Sequence, residues 1–280
     1  MKNDFDDLWD YQNPQQTREN FTKLLPLSDE NLNLQLKTQI ARTYSLQRNF
    51  TEAHKILDEV QQQLPASNSL THTRYFLERG RTFNSAKKRE EAVDCFHQAS
   101  EISRKNNHDF YSIDALHMLA IAVPQEAMSW NLQALELAEN TCDERAKNWC
   151  GSLYNNIGWA YFETKDYEKA LTIFRKTKDW YAAKNDENYT LIAEWSIGKV
   201  LRMQNKISQA LEVQHKLEKI YLEKQQDEGY VCEELAECYL QQQNPKYKDY
   251  AQRAYDELSK DVWLQNNEAS RLQRLKELAL

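Results

Sequence analysis

Residues 153–183 read LYNNIGWAYFETKDYEKALTIFRKTKDWYAA, with Gly158, Tyr161, Tyr167, Ala170 and Phe174 at successive offsets of 3, 6, 3 and 4. The same order of small and large apolar residues recurs along the chain. Residues 34–66 give Ala41, Tyr44, Phe50, Ala53, Leu57 and Pro65. Residues 73–106 give Gly80, Phe83, Ala92, Phe96 and Ala99, and residues 191–224 give Gly198, Leu201, Ile207, Ala210 and Leu217. Two further copies are altered. Near Ala120 and Ala127 the turn is short and holds Pro124, and the helix after it runs through Trp130, Ala134 and Leu137. Near Ala236 the turn is lengthened through Asn244 and Pro245, and the helix after it carries Ala251, Tyr255 and Leu258. Ala53, Ala92, Ala127, Ala170, Ala210 and Ala251 stand 39, 35, 43, 40 and 41 residues apart. A period near 40 residues marks a chain of stacked supersecondary units, because one such unit cannot bury its apolar face alone.

Composition narrows the kind of unit. Five glycines and five prolines in 280 residues are too few for a fold with many tight turns. Helices joined by short polar loops fit better. At 41% hydrophobic and 28% charged, the chain has enough apolar residues to fold. The net charge of −7 disfavours nucleic acid, whose binding needs clustered Lys and Arg. No run of about 18 apolar residues offers a membrane span. The acidic start, MKNDFDDLWDY, has no apolar stretch and does not read as a signal peptide. Cys95, Cys142, Cys150, Cys232 and Cys238 form an odd set with no CxxC pair, which points to reduced thiols and a cytoplasmic location.

The segment at 153–183, with the copies that share its frame, resembles the tetratricopeptide repeat, a helix–turn–helix unit. The resemblance implies an all-α, right-handed α-solenoid of about six repeats over residues 34–261. Residues 1–33 are then an N-terminal segment with a capping helix at 14–25, and residues 262–280 a C-terminal capping helix. About 25 residues before the first repeat are too few for the extra domain that precedes the repeats in bacterial peptide-pheromone receptors. Gly158 and Ala170 are expected to let paired helices approach, with Tyr161 and Phe174 filling the space beside them.

Catalytic signatures are missing. There is no Gly-rich phosphate loop, no HExxH and no GxSxG. The six histidines are scattered, and no His pairs with a Cys at helical spacing. Asp6-Asp7, Glu90-Glu91 and the run Glu233, Glu234 and Glu237 read as solvated helix faces. Glu233 and Glu237, four apart, are a possible acid–base or metal pair with no third partner in view. The expectation is a protein that is not an enzyme, with no metal and no cofactor.

In the family that this chain resembles, the first helices of the repeats line a concave groove that takes peptides or helices. Carried over by position, the groove here holds Thr38 and Arg42, Leu77 and Arg81, His117 and Ile121, Asn155 and Trp159, Trp195 and Lys199, and Glu233 and Glu237. Arg74, Asn156 and Arg202 stand beside them. Trp and Arg most often carry interface energy, and Asn amides suit an extended backbone. The charge runs from basic at Arg42, Arg74 and Arg81 to acidic at Glu233, Glu234 and Glu237. The Lys and Asn clamp by which some family members hold chaperone tails is absent apart from Asn156. The expected function is a monomeric scaffold that binds a protein or peptide partner in the groove, with no nucleic acid and no membrane. The alternative is a peptide-switched regulator of another enzyme or response regulator. The central expectation is one patch made by Asn155, Asn156, Trp159, Trp195 and Lys199.

Overall fold

The structure is a computed structural model that describes residues 5–65 and 67–280; the first four residues of the acidic start lie outside them. Among the described residues there is no strand. The chain divides into two compact units, Met1–Leu153 and Tyr154–Leu280.

The first unit opens with a 3-10 turn at Phe5–Leu8 and then α1, Pro14–Leu24. Pro14 stands in the first turn of α1, where its missing N–H costs nothing, and Asn13 caps it through the Gln16 N–H. Three helix pairs follow: α2 (Glu30–Leu46) with α3 (Phe50–Gln62), α4 (Ser69–Ser85) with α5 (Arg89–Lys105), and α6 (Asp109–Ala122) with α7 (Ala127–Asn140). Successive first helices also touch, α2 with α4 and α4 with α6. The short α8 (Glu144–Lys147) then leads into α9 (Trp149–Glu163), which crosses from one unit to the other.

In the second unit α10 (Tyr167–Ala183) follows α9. Then come the pairs α11 (Glu187–Met203) with α12 (Ile207–Glu223), and α13 (Gly229–Gln241) with α14 (Tyr247–Leu258). The chain closes with α15 (Val262–Asn267) and α16 (Ala269–Ala279). The single C-terminal capping helix expected from sequence is broken at Glu268. Asn266 and Asn267 have weak helix propensity, and Asp261 caps α15 as a separate turn. Leu264, Leu272 and Leu275 share one buried cluster with Cys232, Ala254 and Leu258. Trp263, expected in that apolar stripe, is instead 59% exposed.

The turns within and between pairs share one device. Arg48, Lys87, Asn107, Lys165, Asn185, Asn205, Gln225 and Gln243 all adopt left-handed backbone, with φ between 55° and 62°. After each, an N–H reaches back five residues to a helix carbonyl, as in Asn49 to Tyr44 at 2.9 Å and Asp186 to Tyr181 at 3.0 Å. This closes the helix end. At Asn49, Asp166 and Asp186 the side chain of that same residue caps the next helix. One residue therefore ends one helix and starts another, so tight helical turns form with almost no glycine. The α6–α7 turn departs from the pattern: Pro124–Glu126 is a 3-10 turn, and Arg89 Nε donates to the Ala122 carbonyl left open there.

The repeat positions pack as their sizes require. Ala53, Ala92, Ala170, Ala210 and Ala251 are fully buried. Ala127 is half-buried, because it is the first residue of α7. A Cβ on Gly158 would lie 2.7 Å from the Phe174 ring, so only glycine permits that contact.

Candidate functional site

In the second unit Asn155, Asn156 and Trp159 are half-buried on α9, and Trp195, Lys199 and Arg202 stand on α11. Two first helices thus bring the expected aromatic pair together: the Trp159 and Trp195 rings lie 5.9 Å apart. Trp159 also packs edge-on against Phe174, in the repeat core. Trp195 donates Nε1 to the Tyr230 carbonyl on α13 at 3.0 Å, and its ring sits 5.9 Å from the Tyr230 ring. The indole is thus half core and half surface. Beside it opens a pocket of about 330 Å³, lined by Leu191, Ile192, Trp195, Tyr221, Tyr230 and Val231 with Asn188 and Glu228. Ile192 is 40% exposed there.

Lys199 and Arg202 are already engaged. Lys199 Nζ lies 3.0 Å from Glu234 Oε1 and 5.0 Å from the Trp195 ring centre. Arg202 holds the same carboxylate through Nε and Nη2 at 2.7 and 3.1 Å. Glu234 is only 1% exposed. Burial alone would raise its carboxyl, but Arg202 and Lys199 outweigh burial and hold it low. Glu233 and Glu237 pair with Arg271 and Arg274 of α16. The acidic end expected from sequence is therefore consumed by ion pairs within its unit, and the acid–base or metal reading of Glu233 and Glu237 loses its motive.

Arg42, Arg74 and Arg81 of the first unit are paired as well. Arg74 grips Asp6 in a two-pronged contact, Nη1 to Oδ1 at 2.9 Å and Nη2 to Oδ2 at 2.6 Å. Arg145, in the stretch that widens one repeat spacing to 43 residues, reaches the same Oδ2 at 2.7 Å. Arg42 and Arg81 converge on Glu78 Oε1 at 3.4 and 2.7 Å, and Arg81 also meets Asp114. These groups border a second cleft of about 330 Å³, walled by Trp9, Tyr11, Leu77, Phe110, Tyr111 and Trp149. Burial alone would raise the Asp6 carboxyl, but the hydrogen bonds and charges of Arg74 and Arg145 bring it down to about 2.

The His117 ring lies tilted against that of Trp149, 5.1 Å between centres, and burial lowers its pKa. Thr38 and Leu77, placed in the groove from sequence, are almost fully buried, while Ile121 is exposed. Sequence reasoning missed Asp6, Trp9, Tyr11, Gln39, Glu78, Asp114 and Arg145. The only hint was the long spacing that holds Arg145.

Among the described residues no three His, Cys, Asp or Glu converge as a metal site, and no helix is long and apolar enough to cross a membrane. Burial pushes the Cys95 thiol up to about 11 and those of Cys232 and Cys238 up to about 12, so none of the three is a nucleophile at neutral pH.

Comparison with known proteins bears on the fold. Residues 151–183 match the family model of the tetratricopeptide repeat. No curated protein matches the sequence. Among solved structures the chain is similar to the apo form of RapI, with 13% identity, a TM-score of 0.75 and coverage of 92% of this chain and 76% of that one. It is also similar to aspartyl phosphate phosphatase F from Bacillus subtilis, with 16% identity, a TM-score of 0.63 and coverage of 99% and 83%. NprR in complex with its cognate peptide NprX aligns at 14% identity and a TM-score of 0.55, covering 99% and 84%. The chain has the fold of tetratricopeptide-repeat proteins, and residues 151–183 match that repeat's family model.

Proposed function

We propose that the chain is a non-catalytic binding module, and that the second unit takes a peptide segment or a helix of a partner protein beside Trp159 and Trp195. One observation carries the reading: two half-buried indoles on neighbouring first helices, next to an apolar pocket with an exposed isoleucine. Aromatic anchors beside a water-excluding pocket are where interface energy concentrates. Lys199 and Arg202 are fixed by Glu234, so they orient an acidic group on the partner more than they steer its approach. A second reading, a peptide-switched regulator, draws support from NprR, whose structure holds its cognate peptide.

The test is affinity capture from lysate of the source cells with matched variants. Ile192→Glu and Trp159→Ala should lose the partners that the unaltered chain retains. Lys169→Glu, on the exposed side of α10, should keep them. Ile192→Glu is the cleaner variant, because Trp195 and Trp159 also pack in the core. Retention of the same partners by Ile192→Glu, at unchanged circular dichroism, overturns the reading.

A further inference from the structure

Arg74 is 4% exposed, with its guanidinium 4.6 Å from the Phe5 ring centre and 5.0 Å from that of Tyr111. A cation buried this deeply requires an anion, since an unpaired one costs several kcal/mol. Arg145, with its guanidinium 3.8 Å over the Phe110 ring, aims at the same spot. The two arginines, from α4 and from the stretch before α9, form a carboxylate fork walled by aromatic rings. What fills it is the chain's own N-terminal segment. Asp6 supplies the carboxylate. Phe5 packs edge-on against Phe21 at 5.8 Å. Trp9 donates Nε1 to Gln39 Oε1 at 3.1 Å and stacks on Tyr11 at 4.8 Å.

This arrangement has the form of a peptide complex: one acid in an arginine fork, with an aromatic anchor on each side. The segment does not fill the cleft, because about 330 Å³ remains beside Asp6, Trp9 and Tyr11. A further polar atom there lacks a partner. Glu78 gathers Gln39, Arg42 and Arg81 on Oε1, while its Oε2 is buried with no hydrogen bond among the described residues.

We propose that this cleft is a receptor site for an acidic peptide segment, an Asp with an aromatic residue before it and another three positions after it, and that residues 5–11 are its tethered occupant. A free ligand must displace an occupant whose tether keeps it at high effective concentration. The site lies in the first unit and does not depend on the Trp159–Trp195 reading.

The probe is a fluorescein-labelled peptide of sequence FDDLWDY, titrated into the full chain and followed by anisotropy. The unaltered chain should bind it weakly. Asp6→Ala, which frees the fork, should bind about tenfold more tightly or better. A probe with Asn at the position of Asp6 should lose that gain, as should Arg145→Ala in the Asp6→Ala chain; Arg145 is partly exposed, which favours folding of that variant. Equal affinity of the Asp6→Ala and unaltered chains, or of the Asp and Asn probes, overturns the proposal. If Asp6→Ala loses its helical circular dichroism, hydrogen exchange on the unaltered chain decides. A saturating probe should then speed exchange at residues 5–13, and unchanged protection there overturns the proposal.

Discussion

Asp6 and Arg74 are 68 residues apart in the chain, yet the carboxylate and guanidinium meet through two hydrogen bonds, the shorter of 2.6 Å. The contact ties the start of the chain to α4 and sets a pH response. In the fold the Asp6 carboxyl falls from the ordinary 3.8 to about 2, so folding favours its ionised form. A lowered carboxylate adds stability that is complete above about pH 4 and is lost as pH falls toward 2, worth about 2 kcal/mol here. Denaturant titrations of the unaltered chain and Asp6→Asn should therefore differ by that amount at pH 7 and converge near pH 2. A difference that stays constant across the range contradicts the assignment.

Gly158 packs directly on the fully buried Phe174 ring. Gly158→Val should overpack this contact and lower stability by about 1–3 kcal/mol. Adding Phe174→Leu should recover part of the loss, because the ring is what the new side chain meets. Independent, additive effects of the two substitutions would show that they do not share the contact.

Lys165 holds left-handed backbone at φ 62° in the turn before α10. This conformation costs a non-glycine residue about 1–2 kcal/mol, offset in part by the greater freedom that glycine loses on folding. Lys165→Gly should raise stability by about 0.5–1 kcal/mol, measured by chemical denaturation. Asn185→Gly should gain less, because Asn tolerates this region.

Glu234 neutralises both Lys199 and Arg202 from a buried position. Glu234→Gln should cost about 3 kcal/mol, since two cations lose their counter-charge. Glu234→Leu combined with Arg202→Met should cost far less than Glu234→Leu alone. If the double variant is no more stable than the single, the ion pair is not what holds α11 to α13.

The helix pairs were legible because packing imposes size: Gly158 faces Phe174 and Gly80 faces Phe96, and both pairs stand at fixed offsets in the sequence. The turns were less so. Arg48, Lys87 and Lys165 disfavour the left-handed backbone they adopt, so only the closing hydrogen bonds of the folded helices reveal them. The meeting of Trp159 and Trp195 followed from matched positions on neighbouring first helices. The carboxylates that neutralise Lys199, Arg202, Arg74 and Arg81 did not, because an ion pair between distant segments leaves no periodic trace. Asp6 and Asp7 read as a solvated face, and nothing local ties Asp6 to Arg145, 139 residues away. The break at Glu268 was hidden for another reason: the leucine stripe continues through it.

The binding role of the second unit is tested most directly by photo-crosslinking in the source cells, with a benzophenone amino acid placed at Ile192 or at Lys169. The account predicts a discrete protein adduct from position 192, lost when Trp159→Ala is added, and none from position 169. An equal adduct from position 169, or one from 192 that survives Trp159→Ala, would contradict it.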